Sequence, residues 1–67
     1  MAISYQKLWN LLDMSELKKK DLKERAKLGS HTMAKLNRNK MVSMEIVLRI
    51  CETLHCDISE IMEVTED

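Results

Sequence analysis

A basic stretch in the middle of the chain carries the residues with the clearest chemistry. Residues 18–40 hold nine of the eleven lysines and arginines against two acids, which gives them a formal charge of +7. Residues 41–67 carry one arginine against seven acids, a charge of −6, and residues 1–17 carry −1. The net charge is zero, but a molecule divided in this way can direct its basic end toward an anionic polymer such as nucleic acid.

Apolar residues inside this stretch recur at two helical spacings. A short pattern that includes Leu22 stops near residues 27–29, where a second pattern begins, so the sequence predicts helix, tight turn, helix. Helical spacing places two sets of residues on opposite sides of the second helix. The packing side holds Gly29, Thr32, Met33 and Leu36, and the opposite side holds Ser30, His31, Ala34, Lys35 and Arg38.

A short helix with such a face has the size and the chemistry to enter the DNA major groove, which is about 12 Å wide. Two amphipathic helices joined by a turn also occur in helical bundles of many functions. A charge run such as Lys18–Lys20 often does no more than solvate a surface. The pattern alone therefore leaves DNA binding and simple packing open.

Three segments carry a resemblance to a known family. Residues 19–36 (KKDLKERAKLGSHTMAKL), then Val42-Ser43, and residues 50–64 (ICETLHCDISEIMEV) resemble the small lambda-repressor-like helix-turn-helix proteins. This is the Cro and phage-repressor, or XRE, family, and the chain resembles in particular a compact branch of bacterial regulators. Residues 5–12 (YQKLWNLL) match the first helix of that branch. The resemblance implies an all-α DNA-binding domain of five helices over residues 1–67, with its recognition helix near residues 30–37.

The resemblance also implies two sets of DNA contacts. Residues of the recognition helix would read base edges, since serine can bond several bases, lysine suits guanine O6 and N7, and alanine can contact a thymine methyl. This set is Ser30, His31, Ala34 and Lys35. The start of the preceding helix and the polar loop at residues 37–40 would contact phosphates, although a merely solvated loop is the competing interpretation. The phosphate set is Lys19, Lys20, Asn37, Arg38 and Lys40.

The chain departs from the family pattern at the turn. Lys27 stands where the turn usually has glycine, and Lys23 replaces the usual small residue of the preceding helix. The only glycine, Gly29, lies two positions after Lys27. Either Lys27 adopts a positive φ, which is strained but possible for lysine, or Gly29 takes the left-handed conformation instead.

The flanking segments predict helices that complete the core. Ser4 can cap a first helix whose core side carries Tyr5, Leu8, Trp9 and Leu12. We expect its two aromatic residues to bury the largest areas. Ser43 can cap a long helix with apolar residues at 46, 47, 50, 51 and 54, and Asp57 a last short helix with Ile58, Ile61 and Met62.

Composition argues against several function classes. No nucleophile–base–acid set, catalytic carboxylate pair or glycine-rich phosphate loop can be assembled, so we expect no enzyme and no cofactor. Cys51, His55 and Cys56 match no familiar zinc spacing, and Cys51 fits a buried helical stripe, so no metal and no disulfide are predicted. Without a long apolar run or a signal-peptide pattern, we expect a cytoplasmic protein that neither enters a membrane nor binds a small-molecule ligand.

The sequence therefore predicts a sequence-specific, DNA-binding transcriptional regulator of a bacterium or mobile element. Its partner would be double-stranded DNA, it would act by occupying an operator as a repressor, and a homodimer is expected at least on DNA. Met41, Met44 and Met62 would either fill the core or form a soft dimer surface. The alternative is a protein-interaction module of antitoxin or co-regulator type that uses the basic face on a protein partner.

Overall fold

The computed structural model describes residues 2–66, in which short helices surround one core and the two chain ends pair as strands. The helices are α1 (Gln6–Met14), α2 (Lys19–Arg25), α3 (Ser30–Asn37) and α4 (Met44–Leu54), followed by a 3₁₀ turn (Ile58–Glu60). The strands are β1 (Ala2–Ser4) and β2 (Glu63–Thr65). They form a two-stranded antiparallel sheet in which Ile3 pairs with Val64.

The predicted all-α fold with five helices was wrong in two respects. The fifth helix is only the 3₁₀ turn, Ile58–Glu60, and the terminal segments form β1 and β2. Strands of three residues are too short to show alternation, and these two lie at opposite ends of the chain, so no local pattern could reveal their pairing. The four preceding helices were predicted correctly.

The predicted apolar stripes meet in the core. Each α-helix contributes buried side chains, and the connections add a few more: Tyr5, Leu8, Leu12, Leu22, Ala26, Leu28, Met33, Leu36, Val47, Ile50, Cys51 and Ile61. Both aromatic residues belong to the core side as expected, although Tyr5 is 1% exposed whereas Trp9 is partly buried and packs against the core. Trp9 lies at the edge of the core, where its ring is accessible from α2.

The predicted helix caps are largely present. The Ile46 amide donates a hydrogen bond to Ser43 Oγ (3.3 Å), and the Ile58 amide donates to Asp57 Oδ1 (2.8 Å). Ser4 ends strand β1 and is not the N-cap residue of α1, but its Oγ accepts a hydrogen bond from the Gln6 amide (3.2 Å). These side chains satisfy amides that the first helical turn leaves unpaired.

Each α-helix is followed, one or two residues after its last residue, by a left-handed residue that is not glycine. The φ angles are 57° at Glu16, 55° at Lys27, 56° at Asn39 and 52° at His55. After each of these residues an amide donates back to a carbonyl five residues earlier, as from Leu28 to Lys23 (2.9 Å), which is the Schellman arrangement. Gly29 has φ −79° and is extended. The strained Lys27 was therefore predicted correctly, and the alternative of a left-handed Gly29 was wrong.

Candidate nucleic-acid interface

The turn between α2 and α3 fixes the direction of α3. The left-handed Lys27 ends α2, and Gly29 follows in an extended conformation as the N-cap of α3. Arg49 Nη1, from α4, donates to the Lys27 carbonyl (3.3 Å) and so connects the turn to the longest helix. Met33 and Leu36 are buried, whereas Ser30, His31 and Ala34 are exposed. The predicted packing side and solvent side of α3 are therefore those of the structure, except that Gly29 is exposed.

Five of the predicted contact residues line a single groove on the surface of α3 and the loop after it. They are His31, Ala34, Lys35, Arg38 and Lys40. Three of them belong to the predicted base-reading set and two to the predicted phosphate set. The groove thus brings His31 and Ala34 together with the basic side chains of Lys35, Arg38 and Lys40.

Lys19 lies at the other edge of α3 and makes two contacts. Its Nζ donates to Asn37 Oδ1 (2.8 Å) and lies 4.3 Å from the centre of the Trp9 ring. A cation over an aromatic face is stabilised by the ring quadrupole, so α1, α2 and the end of α3 are connected here. Asn37 is the last residue of α3 and was wrongly assigned to the following loop. Lys20 is exposed on α2.

Ser30 has a partner that the sequence did not predict. Lys23 Nζ, one turn after Lys19 on α2, donates to Ser30 Oγ (2.8 Å). Lys23 is partly buried and Ser30 is exposed. Lys23 therefore contacts the first residue of α3.

The loop after α3 is attached to the start of α1 by two hydrogen bonds. The Tyr5 amide donates to Asn39 Oδ1 (3.0 Å), and the Tyr5 hydroxyl donates to the Lys40 carbonyl (2.8 Å). Burial raises the pKa of Tyr5 above its usual value, so the hydroxyl keeps the proton that it donates. Asn39 was not among the predicted functional residues. Its only signal was the tolerance of asparagine for left-handed backbone, which is common in loops.

The basic side chains of this region have no acidic partners within the described part of the chain. Among residues 2–66, the ion pairs join Lys7 to Glu63 (3.8 Å) and Arg49 to Glu45 (3.3 Å). None of the nine lysines and arginines of residues 18–40 takes part in them. Their positive charge is therefore available to an external anion.

The cysteines form no comparable site. Cys51 is buried, Cys56 is partly buried, and both are free thiols. Desolvation raises the pKa of both, that of Cys56 to about 11, so each stays protonated near neutral pH. In residues 2–66 no group of three or more His, Cys, Asp or Glu side chains is arranged to hold a metal ion. Nor does any helix within that range have the length and hydropathy to span a membrane.

Comparison with known proteins identifies the family. The family model of the Cro/C1-type HTH DNA-binding domain matches residues 7–67. The chain belongs to this family. A solved structure, the crystal structure of transcriptional regulator VanUg (Form II), matches this Cro/C1-type domain with a TM-score of 0.96 and 41% identity, over 98% of this chain and 88% of that chain. No match was found among curated proteins.

Membership of the Cro/C1 family decides three of the predictions. The resemblance to lambda-repressor-like proteins is confirmed, and so is the general function, DNA binding in transcription regulation. The protein is a non-enzymatic member of a DNA-binding family, as expected.

Proposed function

We propose that this Cro/C1-type domain recognises a specific operator through α3 and represses transcription by occupying it. The observation that carries the proposal is the groove in which His31, Ala34 and Lys35 meet Arg38 and Lys40. A helix of eight residues is about 12 Å long, which matches the width of the major groove. A face that combines hydrogen-bonding and apolar groups with cations suits base edges between phosphates.

The two predicted sets of contacts have separate tasks. Side chains on the exposed face of α3 read base edges: Ser30, His31, Ala34 and Lys35. Side chains on α2, at the end of α3 and in the loop bind phosphates: Lys19, Lys20, Asn37, Arg38 and Lys40. Phosphate contacts fix the register of the protein on the duplex but carry no sequence information, whereas base contacts provide the specificity.

The family membership supports the biological setting that we propose. VanUg is a transcriptional regulator, and its 41% identity to this chain supports the same role here. We propose that residues 1–67 form one domain that binds double-stranded DNA in the cytoplasm of a bacterium or as the product of a mobile element. In the described structure the basic side chains of α2 and α3 have no acidic partners, so they could bind either DNA or an acidic protein surface. The family membership favours DNA.

Dimerisation on DNA is part of the proposal. One recognition helix of eight residues reaches few base pairs, and two-fold operators place half-sites about 34–36 Å apart. Met41, 78% exposed, and Val64, 60% exposed, line an apolar groove with Ala2, Ile3 and Asn39, and this surface is available to a second copy. Sedimentation with and without an operator duplex tests the proposal. One protein per duplex at saturating concentration would contradict it.

A titration with random-sequence DNA at several salt concentrations tests the DNA interface directly. Each phosphate contact that is lost should reduce the slope of log affinity against log salt by about one unit. We therefore expect Lys20→Ala and Lys40→Ala to weaken binding to all sequences alike and to make the slope shallower. Glu52→Ala, an exposed substitution in the acidic half, is the control. A wild-type protein without salt-dependent binding would favour the protein-interaction alternative.

A further inference from the structure

Two lysines of α2 hydrogen-bond polar side chains at both ends of α3. Lys23 Nζ lies 2.8 Å from Ser30 Oγ, and Lys19 Nζ lies 2.8 Å from Asn37 Oδ1. The lysines are four residues apart on α2 and the acceptors seven apart on α3, so each pair of positions shares one helix face. The two helices are therefore connected by two hydrogen bonds in which α2 lysines donate and α3 side chains accept.

This arrangement restricts what Ser30 can offer to DNA. A serine hydroxyl can donate one hydrogen bond and accept others. Here an ammonium group occupies one acceptor site, and a second donor brought to the same oxygen would approach that positive charge. The hydroxyl hydrogen of Ser30 remains free. Ser30 is thus fixed as a donor by a residue outside the recognition helix.

We propose that Lys23 and Ser30 together select guanine at one base pair of the operator, with Lys23 both holding the Ser30 hydroxyl as a donor and providing a second donor of its own. Guanine presents two acceptors, O6 and N7, side by side in the major groove, whereas cytosine presents a donor, adenine one donor beside one acceptor, and thymine one acceptor beside a methyl group. The free donors of this pair are the Ser30 hydroxyl hydrogen and the remaining hydrogens of the Lys23 ammonium group. Two adjacent donors match two adjacent acceptors.

The inference rests on the proposed function, because it requires that α3 faces base edges. It goes further by assigning a role to Lys23, which belongs to neither of the predicted contact sets. Lys20 provides a matched comparison, because it is an exposed lysine on the same helix that makes no hydrogen bond to α3 within the described structure.

Selection of binding sites from a random pool, with Lys23→Met, Lys23→Arg, Ser30→Ala and the double variant Lys23→Met/Ser30→Ala, tests the proposal. Lys23→Met removes the ammonium group and keeps the length of the side chain. We expect Lys23→Met and Ser30→Ala to lose the guanine preference at the same base pair and each to lower affinity for the preferred site about tenfold. The double variant should lose little more than either single one, since the two side chains act as a unit. Lys23→Arg should restore part of the preference.

Control variants separate the inference from the proposed function. Lys20→Met should lower affinity for every sequence and leave the selected motif unchanged. If Lys23→Met behaves like Lys20→Met while Ser30→Ala changes the motif, Lys23 is only a phosphate contact and the inference is overturned. If none of Ser30→Ala, His31→Ala and Lys35→Ala changes the motif, base reading by α3 fails, and the proposed function fails with it. Unfolding midpoints equal to that of the wild type would show that a motif change is not a folding defect.

Discussion

At the scale of single residues, the backbone conformation of the turn between α2 and α3 is the most specific prediction that the structure confirms. Lys27 has φ 55°, in the left-handed region that disfavours a residue with a Cβ atom. The sequence predicted this strain because the family pattern places glycine there. Gly29, in contrast, has an extended backbone, and a Cβ atom built on it would meet nothing within 4 Å. The two neighbouring positions should therefore respond to substitution in opposite ways.

We expect Lys27→Gly to raise the free energy of unfolding by up to about 1 kcal/mol, since glycine adopts a positive φ without steric cost. The Lys27 carbonyl that accepts from Arg49 is retained in this variant. Urea unfolding provides the measurement, with Gly29→Ala as the comparison, which should lower stability by no more than about 1 kcal/mol because an N-cap prefers glycine to alanine. A destabilising Lys27→Gly together with a strongly destabilising Gly29→Ala would contradict the observed turn.

The buried titratable side chains predict how stability depends on pH. Burial raises the pKa of Cys56 from 9.0 to about 11 in the folded protein, and it also raises that of Tyr5. The unfolded chain therefore loses these protons first as pH rises. The contribution of Cys56 to stability should be complete below about pH 9 and should be lost between about pH 9 and pH 11. That of Tyr5 should be complete below pH 10.0, its ordinary pKa, and should be lost above it.

Urea unfolding between pH 7 and pH 11 measures this effect. The decline should begin near the ordinary pKa of the thiol and should be smaller in Cys56→Ser, whose hydroxyl does not titrate in this range. A free energy of unfolding that stays constant to pH 11 would contradict the burial of these groups. Equal declines in the wild type and in Cys56→Ser would assign the effect to other residues.

At the scale of elements, the helices were predictable because their signals are local. Ser43 lies three residues before Ile46, whose amide it caps, and the apolar residues of α4 follow a 3.6-residue period. The sheet was not predictable, because Ile3 and Val64 pair only after the core has brought the ends of the chain together. The second contact of Trp9 was not predictable for a similar reason. Its exposed ring face is matched to the Lys19 ammonium group, a contact that no spacing encodes.

The loop between α3 and α4 was recognised as a loop, but its attachment was not. Tyr5 was predicted from its spacing as a core residue, and it is one. Its hydroxyl and its amide, however, reach Lys40 and Asn39 across the fold. Such contacts depend on the packed arrangement of α1 against the end of α3, so they become visible only in three dimensions. The position of a predicted phosphate contact therefore depends on a core residue.

Tyr5→Phe tests this connection between elements. Loss of the hydrogen bond to the Lys40 carbonyl should lower the free energy of unfolding by about 0.5–1.5 kcal/mol. Binding to all DNA sequences should weaken as the loop loses its anchor, without a change in the selected motif. Gln6→Ala is the control, because it removes only an exposed hydrogen bond within α1, from Gln6 Nε2 to Asn10 Oδ1. An unchanged stability of Tyr5→Phe would show that the hydroxyl anchor is not effective.

At the scale of the whole molecule, the basic and acidic segments of the sequence correspond to different elements of the fold. The basic residues 18–40 span α2, α3 and the following loop, whereas the excess acids lie on α4 and in the segment after it. Nine positive side chains without acidic partners in the described structure give one side of a neutral protein an attraction for phosphates. This electrostatic attraction supplies affinity for any DNA, so specificity must come from the exposed face of α3.

Selection of binding sites from a random pool, with the wild type and His31→Ala, tests most directly whether α3 reads DNA sequence. His31 is exposed on α3 in the groove with Ala34 and Lys35. We expect His31→Ala to lose about 1–3 kcal/mol on the preferred site, to bind random DNA almost as the wild type does, and to relax selection at one or two base pairs. Lys20→Ala, measured in parallel, should weaken both kinds of binding and keep the motif. An unchanged motif and unchanged specific affinity for His31→Ala, and likewise for Ser30→Ala and Lys35→Ala, would contradict recognition by this helix.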